Sequence, residues 1–152
     1  MSRRLANEAI RDNWEESGIM HFIGDKSIYI HVDDIWTEEE NLLTIVYEST
    51  YPFRPPSVTY EGKNILVFYR ELSNCSNKKI RDDISKLLGG NGCMCCSTLL
   101  CRNNWSVHNT IKNLLEEFEK FCQIKKRSVE RFWSDRIASI FLVEDIPLRE
   151  YL

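Results

Sequence analysis

The chain has 152 residues, 43% of them hydrophobic and 28% charged, with a net charge of −3 at pH 7. That length supports one domain over residues 1–152 with a core of its own. The acidic balance excludes a global field for nucleic acid or an anionic membrane, and no stretch approaches the roughly 18 apolar residues of a membrane span.

The N-terminus, Met-Ser-Arg-Arg-Leu-Ala-Asn-Glu, lacks an apolar signal core. A cytoplasmic protein, or one shared with the nucleus, is expected. In a reducing compartment its six cysteines serve as thiols, metal ligands or catalytic groups rather than as a disulfide frame.

Residues 2–16 are expected to form a helix. Ser2 caps it, Leu5, Ala9, Ile10 and Trp14 recur at helical spacing, and Gly18 ends it. Ile28, Ile30 and Val32 alternate with Tyr29 and His31, which reads as a half-buried strand. After an acidic turn at 33–40, residues 42–47 are rich in β-branched and aromatic side chains and read as its antiparallel neighbour. Tyr51-Pro52-Phe53-Arg54-Pro55-Pro56 cannot continue a sheet, because its three prolines remove ladder donors. Residues 58–60 return to strand, and 65–69 read as a further one. Ile80, Ile84, Leu87 and Leu88 share one helical face, so a short helix is expected over 78–88, closed by Gly89-Gly90-Asn91-Gly92.

Four cysteines follow within nine residues: Cys93, Cys95, Cys96 and Cys101. Two helices are then expected. Ile111, Leu114, Leu115, Phe118, Phe121 and Cys122 make one amphipathic stripe. Val129, Phe132, Trp133, Ile137, Ile140 and Phe141 make a second, with Ser128 as its cap and Pro147 beyond it. The short basic run Lys125, Lys126, Arg127 reads as the solvated end of the first. The element order argues for a single α+β domain.

A thiol does chemistry when it is partly thiolate, exposed and near groups that stabilise charge. Asn91-Gly92 before the cluster and Ser97-Thr98 after it imply exposed, turn-like backbone, and no neighbouring histidine supplies a base. Structural zinc sites usually use two separated Cys-x2-4-Cys pairs. Here Cys-x-Cys-Cys precedes Cys101 with no second knuckle, and His108, Cys75 or Cys122 would have to complete a site through the tertiary fold. Three readings stay open from the residues alone: buried unreactive thiols, a zinc-stabilised interaction domain, and a reactive thiol.

Three segments carry a resemblance. Tyr51-Pro52-Phe53-Arg54-Pro55-Pro56-Ser57-Val58-Thr59-Tyr60 resembles the Tyr-Pro-Phe-x-Pro-Pro-x-Val-x-Phe segment of ubiquitin-conjugating enzymes. Asn91-Gly92-Cys93-Met94-Cys95 resembles their Asn-Gly-x-Ile-Cys approach. Trp105-Ser106 with Thr110-Ile111 and Leu114-Leu115 resembles their tryptophan and the helix after it. Arg3-Arg4-Leu5 and Glu8 look like the start of their first helix, and the resemblance covers about residues 2–124.

The resemblance implies a UBC-like fold: an N-terminal helix, an antiparallel meander of about four strands, an irregular active-site segment with an extra short helix, and two C-terminal helices. It implies that Cys95 accepts ubiquitin or a ubiquitin-like protein as a thioester and passes it to an amine or a ligase. No cofactor is implied in the chain itself, since ATP is used upstream by the activating enzyme. Phe53, Val107 and His108 fall where the family meets RING and HECT ligases, and Arg3 and Arg4 where it meets the activating enzyme. The family's His-Pro-Asn motif is absent, and the chain between Tyr51 and Cys95 is longer than the family's. Asn74 and Asn77 are then the candidate donors to the oxyanion of transfer. The missing motif also motivates a second reading, a non-catalytic scaffold of the same fold that binds ubiquitin or another protein.

Overall fold

The computed structural model describes residues 3–144 apart from 15, 17–18, 23–25, 34–39 and 91–92. Ser2, Gly18, most of the acidic turn, Asn91-Gly92 and Pro147 lie outside the described residues, as do the side chains of Arg3, Ile140 and Phe141.

Helix α1 spans Arg3–Arg11 and ends before the expected 16. Asn13, at a φ of 45°, turns the chain in a conformation that asparagine tolerates. Trp14 then enters the core, where it is 3% exposed. Leu5 is buried and Ala9 packs against the core, but Ile10, expected beside them, is 82% exposed. One residue turns a helix by about 100°, which carries Ile10 off the buried face.

One antiparallel meander holds β1 (Ile19–Phe22), β2 (Ser27–Asp33), β3 (Glu40–Val46), β4 (Ser57–Tyr60) and β5 (Lys63–Asn64), in that order. The architecture is α+β, with two strands that were not expected, β1 and the two-residue β5; both are too short for an alternating pattern to reveal them. The register explains the buried face. Ile28 pairs with Ile45 and Ile45 with Val58, while Ile30 pairs with Leu43 and Leu43 with Tyr60. All six are buried, and Leu42 and Val46 between them face outward.

Residues 65–69 are not a strand. They open α2 (Ile65–Ser73), because Asn64 accepts the amide hydrogens of Leu66 (2.9 Å) and Val67 (3.3 Å) as an N-cap. Ile65, Tyr69 and Leu72 are the buried residues of α2, at helical spacing. Helix α3 (Lys78–Leu87) falls where expected, with Asn77 as its cap.

The two expected C-terminal helices are a single helix, α4, of 34 residues (Ile111–Glu144). Ser128 does not start a second one. It is 8% exposed and its hydroxyl donates to the Ile124 carbonyl at 2.7 Å, a bond made within a helix that runs on. The basic run is therefore mid-helix, where Lys125 meets Glu61 at 2.6 Å and Arg127 meets Asp83 at 3.1 Å. The first stripe packs as expected. Phe121 is its hub, with ring centres 6.1 Å from Tyr60, 5.3 Å from Phe68 and 6.3 Å from Tyr69. Sheet, α2 and α4 thus share one aromatic core, in which each buried ring contributes about 1.5–3 kcal/mol. Of the second stripe, Val129 is half-buried and Phe132, Trp133 and Ile137 are exposed. No helix among the described residues is long and apolar enough to cross a membrane.

Candidate active site

Cys95 and Cys96 sit on a single 3-10 turn, Met94–Ser97, with Cys93 as its N-cap and Cys101 just beyond it. Met94 is the anchor. Its side chain is 2% exposed, and its amide donates to the Ser73 hydroxyl at 3.1 Å, which itself donates to the Tyr69 carbonyl at 2.9 Å. The end of α2 therefore holds the turn. Asn104 reaches back to the carbonyls of Cys96 and of Thr98 (3.1 Å), and Lys120 of α4 donates to the Ser97 carbonyl at 3.0 Å. With backbone groups tied down in this way, the sulfurs are left outward.

All six cysteines are free thiols; Cys93 and Cys96 are exposed and Cys95 is half-buried against the core. The reading of the cluster as buried inert thiols is thus not met. Cys93 Sγ and Cys95 Sγ lie 2.7 Å apart and share a hydrogen. Its consequence is a split: hydrogen bonding from Cys95 lowers the Cys93 thiol to about 7. Hydrogen bonding to Cys93, with burial behind it, raises Cys95 to about 12. Cys96 is raised as well, mainly through Cys101, whose sulfur is 4.0 Å away. The first negative charge of the pair therefore rests on Cys93, one position earlier in the turn than its neighbour Met94 and exposed.

Cys95 borders a cleft of about 590 Å3 whose walls include Arg54, Pro55 and Pro56 on one side and Leu100, Cys101 and Asn103 on another. Trp105 fixes the two walls together, since its indole N–H donates to the Pro52 carbonyl at 2.7 Å and its ring lies 6.1 Å from that of Tyr51. Burial pushes the Tyr51 hydroxyl up to about 12, so it stays protonated.

Neither Asn74 nor Asn77 borders this cleft. Asn74 is the exposed C-cap of α2. Asn77 is occupied at both ends of its amide: the oxygen caps α3 through Lys79 (3.1 Å) and Ile80 (3.3 Å), and the nitrogen donates to Asp135 at 2.7 Å. The carboxamide that does border the cleft is that of Asn103, which is exposed. It lies eight residues after Cys95. Asn64 also borders the cleft, but its amide is held by Ser57 (2.8 Å) and by the α2 cap.

Of the residues expected to face partners, Val107 and His108 lie beside Arg4 of α1. Phe53 is 79% exposed, and Val107 and His108 are exposed as well. Arg4 is turned inward. Its guanidinium donates to the carbonyls of Val107 and Asn109 (2.6 Å) and to Glu8 (2.9 Å), and lies 5.6 Å from the Tyr51 ring centre. Buried Glu8 in turn accepts the first amide of α4, from Ile111, at 3.3 Å. Arg4 thus braces the loop that carries Val107 and His108, a role the sequence does not disclose. Comparison with protein-family models, with curated proteins and with solved structures finds no match to this chain.

Proposed function

We propose that the chain is a UBC-like conjugating enzyme that accepts ubiquitin or a ubiquitin-like protein as a thioester on Cys95. One observation carries this reading. The proline-rich segment, the cysteine turn and the tryptophan loop, which carry the sequence resemblance separately, border or brace one cleft that Cys95 lines together with Cys101. The order of helix, antiparallel meander, thiol segment and long helix also follows that family, with α2 and α3 filling the extra length before Cys95.

The chemistry is exchange of one acyl bond for another. Cys95 passes the hydrogen it shares with Cys93 (2.7 Å) to the Cys93 thiolate, and its sulfur attacks the carbonyl of the incoming thioester. The bond to the activating enzyme's sulfur breaks, and the acyl group remains on Cys95. An amine or a ligase thiol then attacks the same carbonyl, and the Cys95 sulfur leaves as thiolate. Each step passes through an oxyanion, which needs a donor. Asn103 takes that role in place of Asn74 or Asn77. Phe53 and Val107 supply the exposed apolar contacts of a ligase surface, on loops stiffened by proline and by Arg4.

Incubation with activating enzyme, ATP and a panel of ubiquitin-like modifiers is expected to give an adduct that a thiol reductant cleaves. Cys95→Ala removes it. An adduct that survives in Cys95→Ala overturns the assignment of the acceptor. The second reading, a non-catalytic scaffold, is favoured by the engagement of both ends of Asn77. It predicts binding of a modifier without any adduct, and robust charging by one modifier removes it.

A further inference from the structure

The turn carries more sulfur than acyl transfer uses. The Sγ atoms of Cys93, Cys95 and Cys96 all lie within 4.8 Å of one another, and the Cys101 Sγ is 4.0 Å from that of Cys96. A zinc ion held by thiolates at about 2.3 Å sets its sulfurs about 3.8 Å apart. The group is thus close to the size of a tetrahedral thiolate cage. Its misfits are the 2.7 Å Cys93–Cys95 pair, which has to open by about 1 Å, and Cys101, which stands beside Cys96 but outside the group of three and has to turn in toward it. Cys93 is exposed, and its side chain makes no capping hydrogen bond to the turn.

The donor set selects the ion. Thiolates are soft ligands, which excludes magnesium and calcium and favours zinc or copper(I). The fourth sulfur close by favours zinc, which fills four positions in closed sites. Cys101 meets the group at Cys96, whereas His108, Cys75 and Cys122 are not among its three members. Binding exchanges four S–H bonds for four S–Zn bonds, with the protons passing to solvent and two negative charges left on the site. Arg102, which shares the cleft with Cys95 and Cys101, and Lys120, bonded to the Ser97 carbonyl, stand close enough to offset that charge.

We propose that Cys93, Cys95, Cys96 and Cys101 bind a zinc ion, and that this ion masks the Cys95 sulfur and holds the enzyme uncharged until it is removed. The masking rests on the function proposed above; the binding does not. The test uses the full chain, reduced, stripped with a chelator and dialysed against zinc. The expected content is close to one zinc per chain. Cys93→Ser with Cys96→Ser lowers zinc affinity by at least about tenfold. Alkylation of Cys95, mapped by mass spectrometry, slows by about tenfold or more when zinc is bound.

A content below about one zinc in ten chains overturns the site, as does binding that survives the double substitution. Equal alkylation with and without zinc overturns the masking. Should the double variant unfold, zinc content and alkylation of the unaltered chain decide between these outcomes. A metal-free chain that takes no modifier removes the proposed function and leaves the zinc site standing. A zinc-loaded chain that charges as fast as the stripped one removes the masking and leaves the function.

Discussion

The thiol turn Met94–Ser97 and the α3–α4 brace both lie between the sheet and the chain's C-terminal end, yet they are held by opposite means. The turn has one buried side chain, Met94, and otherwise backbone bonds to Ser73, Asn104 and Lys120. Three of its thiols are left facing solvent or the cleft. Helix α3 buries Ile80 and Ile84 and is fastened to α4 by Asn77–Asp135 (2.7 Å) and by Asp83 with Arg127 (3.1 Å) and Arg131 (3.2 Å). One region offers reactive groups with little packing under them; the other offers packing and ion pairs with no reactive group. The lesson is that the segment before Cys95 that holds α3 supports the long helix and leaves the exposed thiols to the turn. Substitutions in the two regions should therefore separate activity from stability.

Met94 is where the separation is expected to fail, and the effect should be the largest. Met94→Ala removes the single apolar anchor of the turn from a site 2% exposed. Core Met→Ala changes cost about 2–5 kcal/mol. Urea unfolding with an unchanged slope should report a loss of about 3 kcal/mol, and charging should fall with it. Unimpaired stability would mean that backbone bonds alone hold the turn.

Asn103→Ala comes next and tests the turn's side of the comparison. Removing one oxyanion donor typically costs about 100-fold or more in rate. Discharge of the Cys95 adduct to an amine should slow by about 100-fold while the unfolding midpoint stays in place, because Asn103 is exposed. If Asn103→Ala discharges at the original rate, the donor lies elsewhere.

How far the sequence could be read follows the same division. The packed parts were legible: the stripe from Ile111 to Cys122, the alternation around Ile28 and Ile30, and helix α3 all follow from periodicity, which burial imposes. The errors fall where one hydrogen bond outweighs a pattern. Ile65-Leu66-Val67-Phe68-Tyr69 has the composition of a strand, and only the Asn64 side chain, two and three bonds into the next turn, makes it a helix. Ser128 has the look of a cap, and only its bond to the Ile124 carbonyl shows it to be helix interior. Of the proposed site, Cys95, which borders the cleft, was picked out by its flanking motifs. Asn103 was not, because its approach to the cleft depends on the loop between Cys101 and Trp105 folding back, where the Asn104 and Trp105 amides both donate to the Cys101 carbonyl (2.9 and 3.1 Å). No spacing rule encodes that.

On the brace side, Asn77→Ala should cost about 1–2 kcal/mol, as loss of an N-cap does, and leave the rates of charging and discharge as they were. The result that reverses this is a slow discharge with intact stability, which would return Asn77 to the role first given it in the sequence. Asp83→Ala should cost less, about 1 kcal/mol, because its carboxylate is shared by two arginines that are both partly exposed.

The smallest effect belongs to Lys79→Ala. Its ammonium stands 3.6 Å from Asp135, with the lysine 80% and the aspartate 35% exposed. Pairs this exposed contribute from nothing measurable to about 1 kcal/mol and weaken further with salt. The Asp135 carboxylate also keeps its 2.7 Å bond from Asn77 when the lysine is gone. A loss below about 0.5 kcal/mol is therefore expected, and it should vanish as salt is raised. Comparing Lys79→Ala with Asn77→Ala at two salt concentrations isolates what fastens α3 to α4. A salt-sensitive loss as large as that of Asn77→Ala would make the brace electrostatic; a negligible one leaves it to the cap and to the buried Ile80 and Ile84.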